Sequence, residues 1–150
     1  IMVAKRNFGA GSSREAAVYA LVDYGFRCVI APSFGDIFSS NAVNNGLLPA
    51  LVTEPDAQKL IDYCQSQLAS SPTNAPIISV DLENQMIRCA DMSIAFEIKS
   101  AWRSKLLNGW DDIELTQAYS ENIAQFYTDY QSRSPWAITP QDNTILAVNK

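Results

Sequence analysis

A chain of 150 residues suffices for one domain that buries about two-thirds of its unfolded surface. Its hydrophobic fraction of 47% and charged fraction of 18% are those of an ordinary globular protein, and no apolar run approaches the roughly 20 residues that span a bilayer. The net charge of −5 speaks against nucleic acid, because the densest basic group, Lys99, Arg103 and Lys105, is too small to neutralise a run of phosphates.

Three cysteines, Cys28, Cys64 and Cys89, stand far apart and make neither a C-x-x-C pair nor a ferredoxin-type run. No metal or cluster is therefore expected on this chain, and the pattern fits a reducing compartment, the cytoplasm. Cys28 lies in an apolar stretch, where a thiol acts as a small hydrophobe. The absence of histidine removes Ser–His and Cys–His nucleophilic machinery. Ile1-Met2 reads as the inside of a core strand, which creates the expectation that further N-terminal sequence belongs to this domain.

Residues 1–5 read as a short buried strand followed by the loop Asn7-Phe8-Gly9-Ala10-Gly11-Ser12-Ser13-Arg14-Glu15. From Arg14 to Tyr24 the apolar positions Ala17, Ala20, Leu21 and Tyr24 predict one helical face, ended by Gly25. Arg27 to Ala31 is a continuous apolar run, as a buried parallel strand requires. Pro32-Ser33 gives a break and an N-cap for a helix carrying Phe34, Ile37, Phe38, Ala42 and Val43. Leu47 to Val52 is extended again, with Pro49 favouring an edge or a kink. Thr53 caps a helix bearing Leu60, Ile61 and Cys64, and residues 69–76 form a polar loop.

The period then changes to two. Ile78, Val80 and Leu82, then Ile87 and Cys89, then Ile94, Phe96 and Ile98 alternate with polar residues, which predicts an antiparallel meander turning at Glu83-Asn84-Gln85. The remainder is helical: Trp102, Leu106 and Leu107, a turn at Asn108-Gly109, and Asp111 to Leu115. A last helix carries Tyr119, Ile123, Phe126, Tyr127 and Tyr130, a stripe suited to core or subunit contact. Pro135 and Pro140 point to a tail ordered only in part. The whole, residues 1–150, reads as a single α/β domain with a mixed sheet and a C-terminal helical segment.

The loop at residues 7–15 admits two readings. Ser12-Ser13-Arg14-Glu15 fits S-x-x-E, a capping box in which Ser12 and Glu15 satisfy each other's backbone donors, with Gly9 and Gly11 supplying turn conformations. Alternatively, loop amides and a helix N-terminus attract anions, and Arg14 offers a bidentate fork to a carboxylate. A hydroxyl beside them acts as a base if its alkoxide is stabilised in a positive, water-poor site. That chemistry suits proton removal next to a carboxylate. Asp111-Asp112 and Asp36 read as first-turn charges that favour a helix N-terminus, and Trp102, Trp110 and Trp136 suit an interface.

The run Asn7-Phe8-Gly9-x-Gly11-Ser12-Ser13-Arg14-Glu15, with Asp23-Tyr24-Gly25-Phe26 and Val29-Ile30-Ala31-Pro32-Ser33-Phe34-x-Asp36-Ile37-Phe38, resembles the small-subunit family of 3-isopropylmalate dehydratases. Asn45-Gly46-Leu47-Leu48-Pro49 and Leu106-Leu107-Asn108-Gly109-x-Asp111-Asp112-Ile113-x-Leu115-Thr116 continue the match. The resemblance implies a swivelling domain of the aconitase superfamily, a layered β/β/α fold. It implies a large-subunit partner that carries a [4Fe–4S] cluster, with the cluster iron acting as a Lewis acid on the departing hydroxyl of 2-isopropylmalate. It also implies that Ser12 is the base for the substrate proton, and that Ser13, Arg14 and the amide of Gly11 bind carboxylate. The chain departs from the family pattern at Ala16, where the family carries histidine, and at Ala10, where cysteine is common. The family's N-terminal segment, with its substrate-selecting loop, has no counterpart in this sequence. Homoaconitate and methylmalate are alternative substrates, and a non-catalytic carboxylate- or partner-binding module is the alternative of a different class.

Overall fold

The structure is a computed structural model and describes residues 1–70 and 76–137. The chain divides into two compact units, Ile1–Asp111 and Asp112–Lys150. The first unit opens with three strand–helix repeats: β1 (Met2–Val3), α1 (Ala16–Asp23), β2 (Cys28–Ala31), α2 (Asp36–Asn44), β3 (Leu48–Leu51) and α3 (Glu54–Ser70). The three strands form a parallel sheet in the order β1-β2-β3, with Met2 opposite Val29 and Val29 opposite Pro49. Pro49 thus lies on an edge strand, where a missing N–H is tolerated.

Every residue of β2 is buried, as the unbroken apolar run requires of a strand covered on both faces. Alternation along the strand divides the core in two. Val29 joins Val18 of α1, Phe38 and Ala42 of α2, and Leu47. Cys28 and Ile30 join Leu48, Ala50 and Leu60 on the other side.

The change of period appears as an antiparallel meander of β4 (Ser79–Asp81), β5 (Met86–Cys89) and β6 (Met92–Ala95), with Ile87 opposite both Val80 and Ile94. Its apolar face, Ile87, Cys89, Ile94 and Phe96, completes the core around Ile30 and Ala50, and a backbone bridge between Leu51 and Glu97 joins the two sheets. Helices α1 and α2, the parallel sheet and the meander therefore stack as the expected β/β/α layers, with α3 beside the second core. The mixture of strand directions is distributed over two sheets. Helix α4 (Ser100–Asn108) follows, ended by Gly109 in the left-handed region at φ 70°.

Three boundaries differ from the sequence expectation. Helix α1 is phased on Val18, which is fully buried, while Tyr24 is 82% exposed and Ala20 faces solvent. The spacing of Val18, Leu21 and Val22 satisfies a helical face as well as the expected set did, so periodicity alone did not select between them. Helix α2 begins at Asp36 after Gly35, not after Ser33, because the Ser33 hydroxyl is engaged with Asn7. Helix α3 runs through Ala69 and Ser70, and the remainder of that expected loop, residues 71–75, lies outside the described residues. Thr53 caps α3 as expected, its Oγ1 accepting from the Asp56 amide at 3.3 Å.

The second unit comprises α5 (Asp112–Gln117), α6 (Ser120–Arg133) and a 3₁₀ turn at Pro135–Ala137. The aromatic spacing of α6 is realised, with the Phe126 and Tyr130 rings stacked at 6.0 Å, and both side chains are exposed. The expectation for the tail falls largely on residues 138–150, outside the described residues. Among the described residues, no helix is long and apolar enough to cross a membrane.

Candidate active site in the glycine loop

The segment that follows β1 and the segment that follows β2 lie side by side at the carboxyl ends of their strands, the crevice where open α/β sheets place ligands. Their contact is made of backbone. The Phe8 amide donates to the Ser33 carbonyl at 3.0 Å, the Gly35 amide donates to the Phe8 carbonyl at 2.9 Å, and Phe8 and Phe34 form an isolated parallel bridge. The Asn7 amide donates to Ser33 Oγ at 2.7 Å, and that hydroxyl donates to Asn7 Oδ1 at 3.2 Å. Asn7 itself takes a positive φ of 62°.

The two glycines of the loop differ in what they do. Gly9 has φ 74°, and a Cβ built on it would stand 2.2 Å from Cγ of Phe38, so the fold admits no side chain there. The Phe38 ring closes this corner edge-on to Phe8 at 5.2 Å. Gly11 has no positive φ, and a Cβ on it would meet nothing within 4 Å. The chain's own packing has no need of a glycine at position 11.

The expected capping box does not form. Ser12 Oγ accepts from the Arg14 amide two residues on, at 3.1 Å, and Glu15 Oε1 accepts from Asn45 Nδ2 at 2.8 Å. Helix α1 starts without a side-chain cap on Glu15. The competing partners explain the failure: a local two-residue turn captures the serine, and an amide 30 residues away captures the glutamate. Gly11, Ser12, Ser13 and Arg14 are exposed. Among the described residues, the amides of Gly11, Ser12 and Ser13 find no protein acceptor and the Arg14 guanidinium no protein partner.

Ser12 and Ser13 line a shallow depression of about 280 Å³ together with Gly9, Ala10, Gly35, Asp36, Ile37 and Phe38. Of the four site residues expected from sequence, two therefore face this depression, while Gly11 and Arg14 belong to the same exposed turn beside it. Asp36 is a wall residue that sequence reasoning missed. It is also the first-turn charge of α2, as expected, and that role concealed its place beside the serines. Its position within the run that resembles the family was the available signal.

The cysteines lie away from this loop. Cys28 is buried, and burial pushes its thiol up to about 12. Burial likewise raises Cys89 and the half-buried Cys64. Among the described residues, no group of three or more His, Cys, Asp or Glu side chains could hold a metal ion.

The model of the aconitase C-terminal domain matches residues 1–55, which include both loops of the depression. The 3-isopropylmalate dehydratase small subunit of Rhodospirillum centenum is 48% identical over 139 residues, covering 92% of this chain and 66% of that protein. The corresponding small subunit of Shouchella clausii is 43% identical over 126 residues, covering 84% of this chain and 60% of that one. The chain thus spans just under two thirds of the length of the curated relatives it matches. The crystal structure of 3-isopropylmalate dehydratase from Methanocaldococcus jannaschii superposes with a TM-score of 0.54 at 28% identity, covering 81% of this chain and 65% of that one. Loop, layers and relatives agree: the chain is similar to the small subunits of 3-isopropylmalate dehydratases, and its residues 1–55 match the aconitase C-terminal domain.

Proposed function

We propose that this chain acts as the small subunit of a 3-isopropylmalate dehydratase, a hydro-lyase that interconverts 2-isopropylmalate and 3-isopropylmalate by loss and return of water, in leucine biosynthesis. The observation that carries the reading is the exposed Gly11-Ser12-Ser13-Arg14 turn: a glycine the fold does not need, two hydroxyls and a guanidinium unpaired among the described residues. A backbone without a side chain at position 11 lets a carboxylate approach the amides closely. The Arg14 fork and the Ser13 hydroxyl bind that carboxylate, the amide of Gly11 shares its charge, and Ser12 Oγ takes the proton from the neighbouring carbon.

Dehydration needs a proton removed from carbon and a hydroxyl released. This chain offers groups for the first. The second belongs to a large-subunit partner, which the resemblance credits with the [4Fe–4S] cluster. The small hydroxy-acid substrate is bound between the two, and neither nucleic acid nor membrane enters the reaction.

The test is reconstitution. The chain is mixed with a cluster-loaded large subunit, and the absorbance of the unsaturated intermediate is followed from 2-isopropylmalate. Turnover by the complex, absent from either subunit alone, is the expected result. A complex that assembles and leaves 2-isopropylmalate untouched overturns the reading.

A further inference from the structure

The serine–arginine turn is held differently at its two ends. Its entrance, Asn7 to Gly9, is fastened to the segment after β2, whereas its exit passes into α1 with no capping bond of its own. What fixes the exit is a side chain from the far end of α2. Asn45 uses both of its amide hydrogens: one goes to the Asn41 carbonyl at 2.8 Å, within its own helix turn, and the other to Glu15 Oε1 at 2.8 Å. The first bond orients the amide, and the second reaches the residue directly after Arg14.

The platform beneath Asn45 is firm. Its backbone amide donates back to Asn41 and Ala42, and the neighbouring Asn44 Oδ1 accepts from Lys105 Nζ of α4 at 2.7 Å. Lys105 is buried, and it places a cation at the C-terminal end of α2, where the helix dipole favours it. Glu15 is therefore gripped from outside the loop, by a side chain held on a firm platform.

We propose that Asn45 is a positioning residue: acting through Glu15, it holds the exit of the Ser12–Arg14 turn so that the hydroxyls and the guanidinium meet the substrate carboxylate together. This rests on the reading of that turn as the substrate loop. The bond joins a neutral donor to a charged acceptor, the stronger kind of hydrogen bond. A shift of about 1 Å in substrate-holding groups costs up to about a hundredfold in rate, so loss of this tether has a measurable consequence.

Two measurements on the full chain decide it. By NMR, Asn45→Ala is expected to lower the amide order parameters of Ser12, Ser13 and Arg14 toward flexible values of about 0.6, while those of β2 stay near about 0.85. In the reconstituted complex the same substitution is expected to raise KM about tenfold. A merely structural loss of folded protein lowers kcat and leaves KM alone. Glu15→Gln keeps an acceptor oxygen and is expected to stay within about twofold of wild type, while Asn45→Asp, which sets two carboxylates against each other, behaves like Asn45→Ala or worse. The double variant Glu15→Ala/Asn45→Ala is expected to be no worse than either single one. Unchanged order parameters in Asn45→Ala overturn the proposal, as does an unchanged KM in an active complex. Reduced order parameters beside an inactive wild-type complex support the tether and remove only the substrate reading.

Discussion

Between Asn7 and Ala10 the glycine loop is held by hydrogen bonds from Ser33 and Gly35 and by the ring of Phe38, whereas between Gly11 and Arg14 the side-chain hydrogen bond is local, from the Arg14 amide to Ser12 Oγ. The two halves are adjacent in sequence, and each contains one glycine. In the first half, every special residue is required by the fold: the positive φ of Asn7 and Gly9, and the missing Cβ beneath Phe38. In the second half the fold requires none of them. Groups that a structure exposes without using are the ones left for a ligand, and the contrast is a sharper indicator of function than the motif alone.

Substitutions in the two halves should separate activity from stability. Ser12→Ala is expected to lower kcat of the reconstituted complex by about 10²–10⁴-fold, the usual weight of a general base, with the urea midpoint of the isolated chain unchanged. Gly9→Ala is the reverse: it forces a methyl into Phe38 at a positive φ, and urea denaturation should show a loss of about 3 kcal/mol. Arg14→Lys keeps the charge and loses the fork, so KM should rise about tenfold while the thermal midpoint stays in place. Ser33→Ala removes the hydroxyl that clamps Asn7 and should cost about 1 kcal/mol in the same denaturation assay. Gly11→Ala should change stability by less than about 0.5 kcal/mol, since its Cβ meets open space, yet it should weaken substrate binding. A large loss of stability on Gly11→Ala, or none on Gly9→Ala, would break the comparison.

Much of this architecture was legible in advance. The unbroken apolar run of β2, the helical spacing of α3 and α6, the cap at Thr53 and the alternation from Ile78 to Phe96 each carry a local signal, because one buried face imposes one period. The candidate site was legible as a motif, and the fold gathers its residues in one place: Ser12 and Ser13 line the depression, with Gly11 and Arg14 in the same turn. What stayed hidden depended on partners distant in sequence. Ser33 read as a helix cap until Asn7 claimed it, Glu15 read as half of a capping box until Asn45 claimed it, and Asp36 read as a first-turn charge until the two loops came together. Local rules describe what a side chain does when nothing better is near, and they cannot see a competitor 26 or 30 residues away.

The layered α/β class, the resemblance to the small-subunit family and the hydroxyls and guanidinium gathered in one turn were set by the order of the residues alone, since these follow from periodicity and from an uninterrupted run of residue types. That one glycine serves the fold and the other does not emerged from the folded chain, not from the residue order. A glycine's necessity is a matter of which atoms stand where its Cβ would be, and at Gly9 those atoms belong to Phe38, on another helix.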